Sequence, residues 1–305
     1  MSNVLGSPLP LAGDGDAKFR VRASLADYLN LSKSRIVLMV VITTAAGFAI
    51  GARDFSLLLL LQTLAGTALV AAGTNALNQY WERNLDAKMQ RTARRPLPAG
   101  RISPRAALIF STSIAVIGTI YLGLAVNWLT AALGAFTLTS YIFVYTPLKR
   151  ISTICTLVGA IPGAIPPLMG WTAATGQIGL GGLIVFGVLF LWQLPHFMAI
   201  SWIYREDYRR AGFAMLSVVD ADGRAVGRDA VLYSALLLPV SVAPAFLGMA
   251  GPTFLVLATA AGAAMLIASI QFLGERSEKR ARTLFLCSNI YLLSMMILFV
   301  ALVRG

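Results

Sequence analysis

The chain is 305 residues long, 57% hydrophobic and only 12% charged, with a mean hydropathy of +0.75. Soluble domains carry about 25% charged residues, so most of this surface has to face lipid rather than water. A net charge of +12 on a soluble protein would point to nucleic acid; here its distribution follows membrane topology, and no nucleic-acid partner is expected.

Residues 1–23 are polar, include Asp14 and Asp16 and hold no apolar run, which argues against a signal peptide or a transit peptide. They are expected to form a disordered cytoplasmic tail, with residues 24–305 as a single membrane-embedded domain. Apolar runs then predict nine helices, at about 36–52, 57–80, 106–126, 128–147, 153–173, 179–204, 230–250, 252–273 and 284–303, of the length a bilayer crossing needs. The fold class is therefore an all-α integral membrane protein. Gly159, Pro162, Pro166, Pro167 and Pro195 fall inside predicted spans, where neighbouring helices can satisfy the freed backbone groups. Cys155 and Cys287 lie far apart in apolar segments and are expected to pack, not to form a disulfide or a metal site.

Lys and Arg gather in the N-terminal tail and in the even-numbered connections, whereas the odd-numbered connections carry only Arg53 and the far end only Arg304. The positive-inside rule then puts the N terminus and the even-numbered connections on the cytoplasmic side of a bacterial inner membrane. The alternation also checks the span count, because one missed or invented helix would scramble it. Outward connections such as "AVNW" and "GMAGP" are short and nearly uncharged, so chemistry is expected at the cytoplasmic face.

Two segments concentrate polar groups at that face. The first is "NALNQYWERNLDAKMQRTARRPLPAG", residues 75–100. Asn78, Glu82 and Asp86 recur every four residues, which at about 3.6 residues per turn makes one stripe roughly 12 Å long on a single helix face. Ionised acids at the end of a membrane helix are costly and usually face a polar cavity. Two carboxylates and an amide oxygen are hard ligands suited to Mg²⁺, which binds one or two carboxylates plus a substrate phosphate. Arg91, Arg94, Arg95 and Arg101 follow at once, and Pro96 and Pro98 turn the chain so that these arginines can fold back over the helix end. Carboxylates for a metal beside arginines for phosphate define a diphosphate site.

The second is "WQLPHFMAISWIYREDYRRAG", residues 192–212. Its helix runs through the membrane in the same direction as the first. Asp207 lies 11 residues beyond His196, which on one continuous helix puts both on nearly the same face, roughly 16 Å apart. His196, the only histidine, would then lie deeper in the bundle, either as a haem ligand or base or as a hydrogen-bonded packing residue.

"NQYWERNLD" resembles the NxxxDxxxD signature of the UbiA-type intramembrane prenyltransferases, with Glu82 at the middle acid. "KMQRTARRPLPAGR", "YTPLKR" at 145–150 and the 192–212 segment resemble the protohaem-farnesylating branch of that family. The resemblance runs from about Tyr28 to the last helix. It implies nine helices around a central cavity open to lipid, and Mg²⁺-dependent transfer of farnesyl from farnesyl diphosphate to a vinyl group of haem B, with water addition, giving haem O. It assigns the metal to Asn78, Glu82, Asp86 and Asp207. It places Tyr145 and Lys149 near the diphosphate; Arg94, Arg95 and Arg205 are expected to neutralise the remaining phosphate oxygens, and His196 is the candidate for the porphyrin. A downstream haem-modifying enzyme is the implied partner besides membrane lipid. Two departures stand out: "REDYRRAG" lacks a second DxxxD, and "LSKSR" has Ser34 where the pattern has proline, a change expected to affect a local turn. Rival readings are a relative acting on a quinone precursor or chlorophyll-type acceptor, or a transporter of an anionic lipid or metabolite.

Overall fold

A computed structural model describes residues 23–303; the expected disordered tail falls almost wholly outside them. A short helix α1 (Leu25–Leu31) lies ahead of the first span. Among the described residues nine helical stretches are long and apolar enough to cross a membrane. They are α2 (Ser34–Gly51), α3 (Leu57–Asp86), α4 (Pro104–Ala125), the stretch Trp128–Leu148, α7 (Cys155–Thr175), α8 (Leu180–Ile203), α11 (Arg224–Phe246), α12 (Pro252–Gly274) and α13 (Glu278–Leu302). The stretch Trp128–Leu148 is composite: α5 (Trp128–Thr139), a π-helical turn (Ser140–Tyr145) and α6 (Thr146–Leu148). Two short helices, α9 (Arg205–Ala211) and α10 (Leu216–Val219), fill the connection between α8 and α11.

The nine expected spans are all present, but several helices outrun their apolar stretch. α11 begins at Arg224 and α13 at Glu278, each six residues before the expected start. Hydropathy marks only the lipid-facing part, while backbone hydrogen bonding carries the helix on into polar residues. α3 shows this most strongly. Its 30 residues span about 45 Å, against a hydrocarbon core of about 30 Å, so the helix has to tilt or extend beyond the core.

α2, α3, α4, α5, α7, α8, α11, α12 and α13 pack in succession, and α13 returns against both α8 and α2. α7 is the hub, touching α2, α3, α5 and α8. Its crossing with α2 is backbone against backbone. A Cβ on Gly47 would stand 1.9 Å from the Pro167 carbonyl oxygen, and one on Gly170 would stand 1.9 Å from that of Thr44. Small residues let membrane helices approach this closely, where dispersion and polar contacts replace the hydrophobic effect. Ser241 with Tyr291, and Ser234 with Ser269, join helices in the same way.

The connections rich in Lys and Arg lie together at one end. Ala214 N–H donates to the Lys149 carbonyl at 2.7 Å, Trp202 Nε1 to that of Arg276, and Arg276 Nε to that of Asp222. At the other end Asn127 Nδ2 reaches the Thr172 carbonyl, and Ala250 pairs with Val303. We call the first the basic end.

Candidate active site

The site is built on the last three turns of α3. Asn78, Glu82 and Asp86 are each 5% exposed or less, and the helix is unbroken through them, so the expected stripe forms. Each oxygen donor meets a cation from a different element. Lys33 Nζ donates to Asn78 Oδ1 at 3.0 Å, Lys149 Nζ to Glu82 Oε1 at 2.8 Å, and Arg95 Nη1 to Asp86 Oδ2 at 2.7 Å. The other oxygen of Asp86, Oδ1, is buried without a partner. Buried polar atoms are nearly always satisfied, so this oxygen is free to accept a further donor or ion.

The arginine loop folds back as its prolines require. Thr92 Oγ1 caps the Asp86 carbonyl, and Arg101 N–H turns onto the Pro96 carbonyl. Arg94, Arg95, Arg91, Arg101 and Lys33 line a cavity of about 290 Å³ with Gln79 in its wall. Arg101 is fixed from behind by Asp27 at 2.7 Å and itself donates to the Arg94 carbonyl. The Arg101 hydrogen bond, helped by Ser24, holds the Asp27 carboxyl below the usual carboxylate range.

Two parts of this arrangement carry no obvious sequence signal. The first is Lys33, in "LSKSR". It has a left-handed backbone (φ +52), rare for a residue with a side chain, and it breaks the chain between α1 and α2. Gln79 holds that turn, donating from Nε2 to the Asn30 and Leu31 carbonyls at 3.0 and 2.8 Å. Ser34 is the first residue of α2, a position that proline also occupies, but a proline there would push the preceding Lys33 from its left-handed turn toward extended backbone. Burial, with Arg95 and Lys149 nearby, pushes the Lys33 pKa down to about 7 against the pull of Glu82 and Asp86. The second is the π-helical turn, which adds a residue to the helix before Tyr145. Thr146 Oγ1 bonds back to the Tyr141 carbonyl and receives Asn78 Nδ2 at 3.2 Å. Such bulges re-aim side chains at functional sites. Here the Lys149 ammonium comes over the Tyr145 ring at 4.5 Å and onto Glu82. Burial opposes that charge, but Glu82 and the nearby tyrosines outweigh it and hold Lys149 well above the ordinary lysine range.

Asp207 comes to the same end of the bundle. Its oxygens receive the backbone N–H groups of Gln90 and Arg91, both at 3.2 Å, and the Arg210 guanidinium. Burial would raise its pKa, but these donors hold it below the usual range. Asp207 therefore pins the start of the arginine loop, beside a cavity of about 480 Å³ that Arg91 also lines. Arg91 lies over the Tyr204 ring at 4.5 Å. The single-helix spacing of His196 to Asp207 does not hold. α8 stops at Ile203, Tyr204 leaves helical geometry (φ −107, ψ 21), and α9 restarts at Arg205. His196 instead bonds Ser288 through Nδ1 at 2.8 Å and stacks on Trp192 at 4.8 Å. Arg205 lies over Trp202 and donates to its carbonyl, outside the lining of both cavities.

Among the described residues no three His, Cys, Asp or Glu converge into an all-protein metal cage. Two carboxylates, one amide oxygen and an open, cation-lined cavity suit an ion that completes its shell with water and phosphate oxygens, as Mg²⁺ does.

The architecture defines an integral membrane protein with a cation-lined cavity at its basic end. The chain matches the UbiA prenyltransferase family over residues 40–296 and belongs to it. It is 45% identical to the protoheme IX farnesyltransferase of Solibacter usitatus, over 88% of this chain and 95% of that one. It is 43% identical to the mitochondrial protoheme IX farnesyltransferase of Homo sapiens, over 85% of this chain and 58% of that one. Among solved structures, one described under the biosynthesis of digeranylgeranylglyceryl phosphate synthase in membranes superposes with a TM-score of 0.77 at 19% identity, covering 90% of this chain and 97% of that one. A UbiA homolog from Archaeoglobus fulgidus bound to GPP and Mg²⁺ superposes with a TM-score of 0.65 at 15% identity, covering 90% and 99%. These two likenesses concern the fold.

Proposed function

We propose that this protein transfers a farnesyl group from farnesyl diphosphate to a vinyl group of haem B, with addition of water, giving haem O and diphosphate. The observation that carries the reading is the buried oxygen stripe of Asn78, Glu82 and Asp86, joined through Lys33 on Asn78 and Arg95 on Asp86 to a cavity lined with lysine and arginine. The relatives named protoheme IX farnesyltransferase, similar over most of the chain, support the choice of acceptor. We assign the cytoplasmic face of a bacterial inner membrane to the basic end, from the Lys and Arg asymmetry.

Asn78, Glu82 and Asp86 would hold a magnesium ion, which when bound supplies positive charge to the leaving diphosphate. Arg94, Arg95, Lys33 and Lys149 neutralise the remaining phosphate oxygens as the allylic C–O bond breaks, and Tyr145 orients Lys149. Fixed charges aimed at developing charge are usually the largest catalytic contribution. Farnesyl C1 then bonds to one vinyl carbon, water oxygen to the other, and the water gives up a proton. Asp207 enters as the residue that positions the arginine loop; recruiting it to a second ion requires Arg210 to leave it. His196 is assigned to the porphyrin side. Arg205 retains a supporting role at the helix break, and a downstream haem-modifying enzyme receives the product.

The test is incubation of the purified protein with haem B, farnesyl diphosphate and Mg²⁺, followed by mass analysis of the porphyrin. The expected product carries farnesyl plus water and disappears with EDTA. An unchanged porphyrin, with a quinone precursor prenylated instead, would transfer the reading to another acceptor.

A further inference from the structure

Every oxygen donor on the α3 stripe already holds a cation. Lys33 comes from the α1–α2 turn, Lys149 from just after α6 and Arg95 from the arginine loop. The Lys149 and Glu82 side chains are only 12% and 7% exposed. A divalent ion that entered alone and took these oxygens would leave the nearly buried Lys149 and the partly buried Lys33 and Arg95 without their partners. A diphosphate entering alone would draw the cations away and leave two buried carboxylates unpaired. Breaking a buried pair in either direction is strongly unfavourable, because the stranded charge has lost both water and partner. When the two arrive together, each cation passes from a side-chain oxygen to a phosphate oxygen, and the ion takes its place. Charge is balanced before and after.

Two further details fit such an exchange. The buried, unpartnered Gln79 Oε1 belongs to a residue lining the same cavity as Lys33. It offers an acceptor to an ammonium released from Asn78. Asp86 Oδ1, also buried and unpartnered, leaves one ligand position open without displacing Arg95.

We propose that Lys33, Lys149 and Arg95 are exchangeable counter-ions, resting on the stripe when the site is empty and moving to the diphosphate when it is loaded. Metal and diphosphate then bind cooperatively, and the empty site has little affinity for either alone. This rests on the metal-diphosphate reading above. It adds Lys33 to the diphosphate-binding residues and gives the binding order a physical cause. Coupling between two ligands is reciprocal, so each must tighten the other by the same factor.

The test uses purified full-length protein in detergent, with Mn²⁺ followed by electron paramagnetic resonance and inorganic pyrophosphate followed by calorimetry. After correction for the Mn²⁺–pyrophosphate complex in solution, each is expected to tighten the other about tenfold or more. Lys149→Met gives the sharper result, because the expected effects have opposite signs. Mn²⁺ alone should bind about tenfold tighter, since no ammonium has to leave Glu82, while pyrophosphate alone should bind more weakly. A merely structural lysine would weaken both, and that outcome, or absence of coupling in the unaltered protein, overturns the exchange. Should Lys149→Met fail to fold by gel filtration, Lys33→Met carries the same opposite-sign expectation at Asn78. Failure of Mn²⁺ and pyrophosphate to bind in any combination would instead remove the underlying metal-diphosphate reading.

Discussion

The ends of α3 and α8 look alike in the sequence: each carries an apolar span into acidic residues at the basic end. In the structure they do different work. α3 continues without a break through Asn78, Glu82 and Asp86, so its acids stay in register as a ligand stripe. α8 breaks at Tyr204, and its acid, Asp207, reaches across to the N–H groups of Gln90 and Arg91. In the proposed function the first end presents oxygens to a ligand, and the second holds the loop that carries the arginines. A carboxylate's role here depends on whether its helix survives to the surface.

Four measurements would break or sharpen that contrast. The largest effect is expected from Asp86→Ala, which should lower farnesyl transfer by about 10²–10³-fold or more while folded protein remains in the membrane; normal turnover would remove Asp86 from the stripe. Asp207→Asn should cost less, about 10- to 100-fold, because it misplaces the arginine loop without removing a ligand. It should raise KM for the prenyl diphosphate more than it lowers kcat, and expose residues 87–103 to protease. An effect equal to that of Asp86→Ala, with the loop still protected, would make Asp207 a ligand after all. His196→Ala should lower haem turnover about tenfold and leave pyrophosphate affinity unchanged; unaltered haem kinetics would return His196 to packing against Trp192 and Ser288.

The smallest effect concerns pH. Asp27 has a folded pKa below its ordinary value of 3.8. Its contribution to holding α1 is therefore present above 3.8 and lost as pH falls through the lower folded value. Hydrogen exchange of residues 25–31 should accelerate beyond its intrinsic pH trend in that acidic window, and Asp27→Asn should show the faster exchange at neutral pH.

Much of this protein follows from sequence alone. Lipid demands that spanning backbone satisfy its own hydrogen bonds, so apolar runs of adequate length determine both the class and the number of helices. The spacing of Asn78, Glu82 and Asp86 determines a stripe because it needs only a local helical repeat. Tertiary structure decided which cation meets each oxygen. Lys33 meets Asn78 across 45 residues and Lys149 meets Glu82 across 67. The left-handed turn at Lys33, the π-helical turn before Tyr145 and the break at Tyr204 each re-aim side chains. No hydropathy period records them, because they depend on which helices become neighbours and which backbone groups those neighbours satisfy.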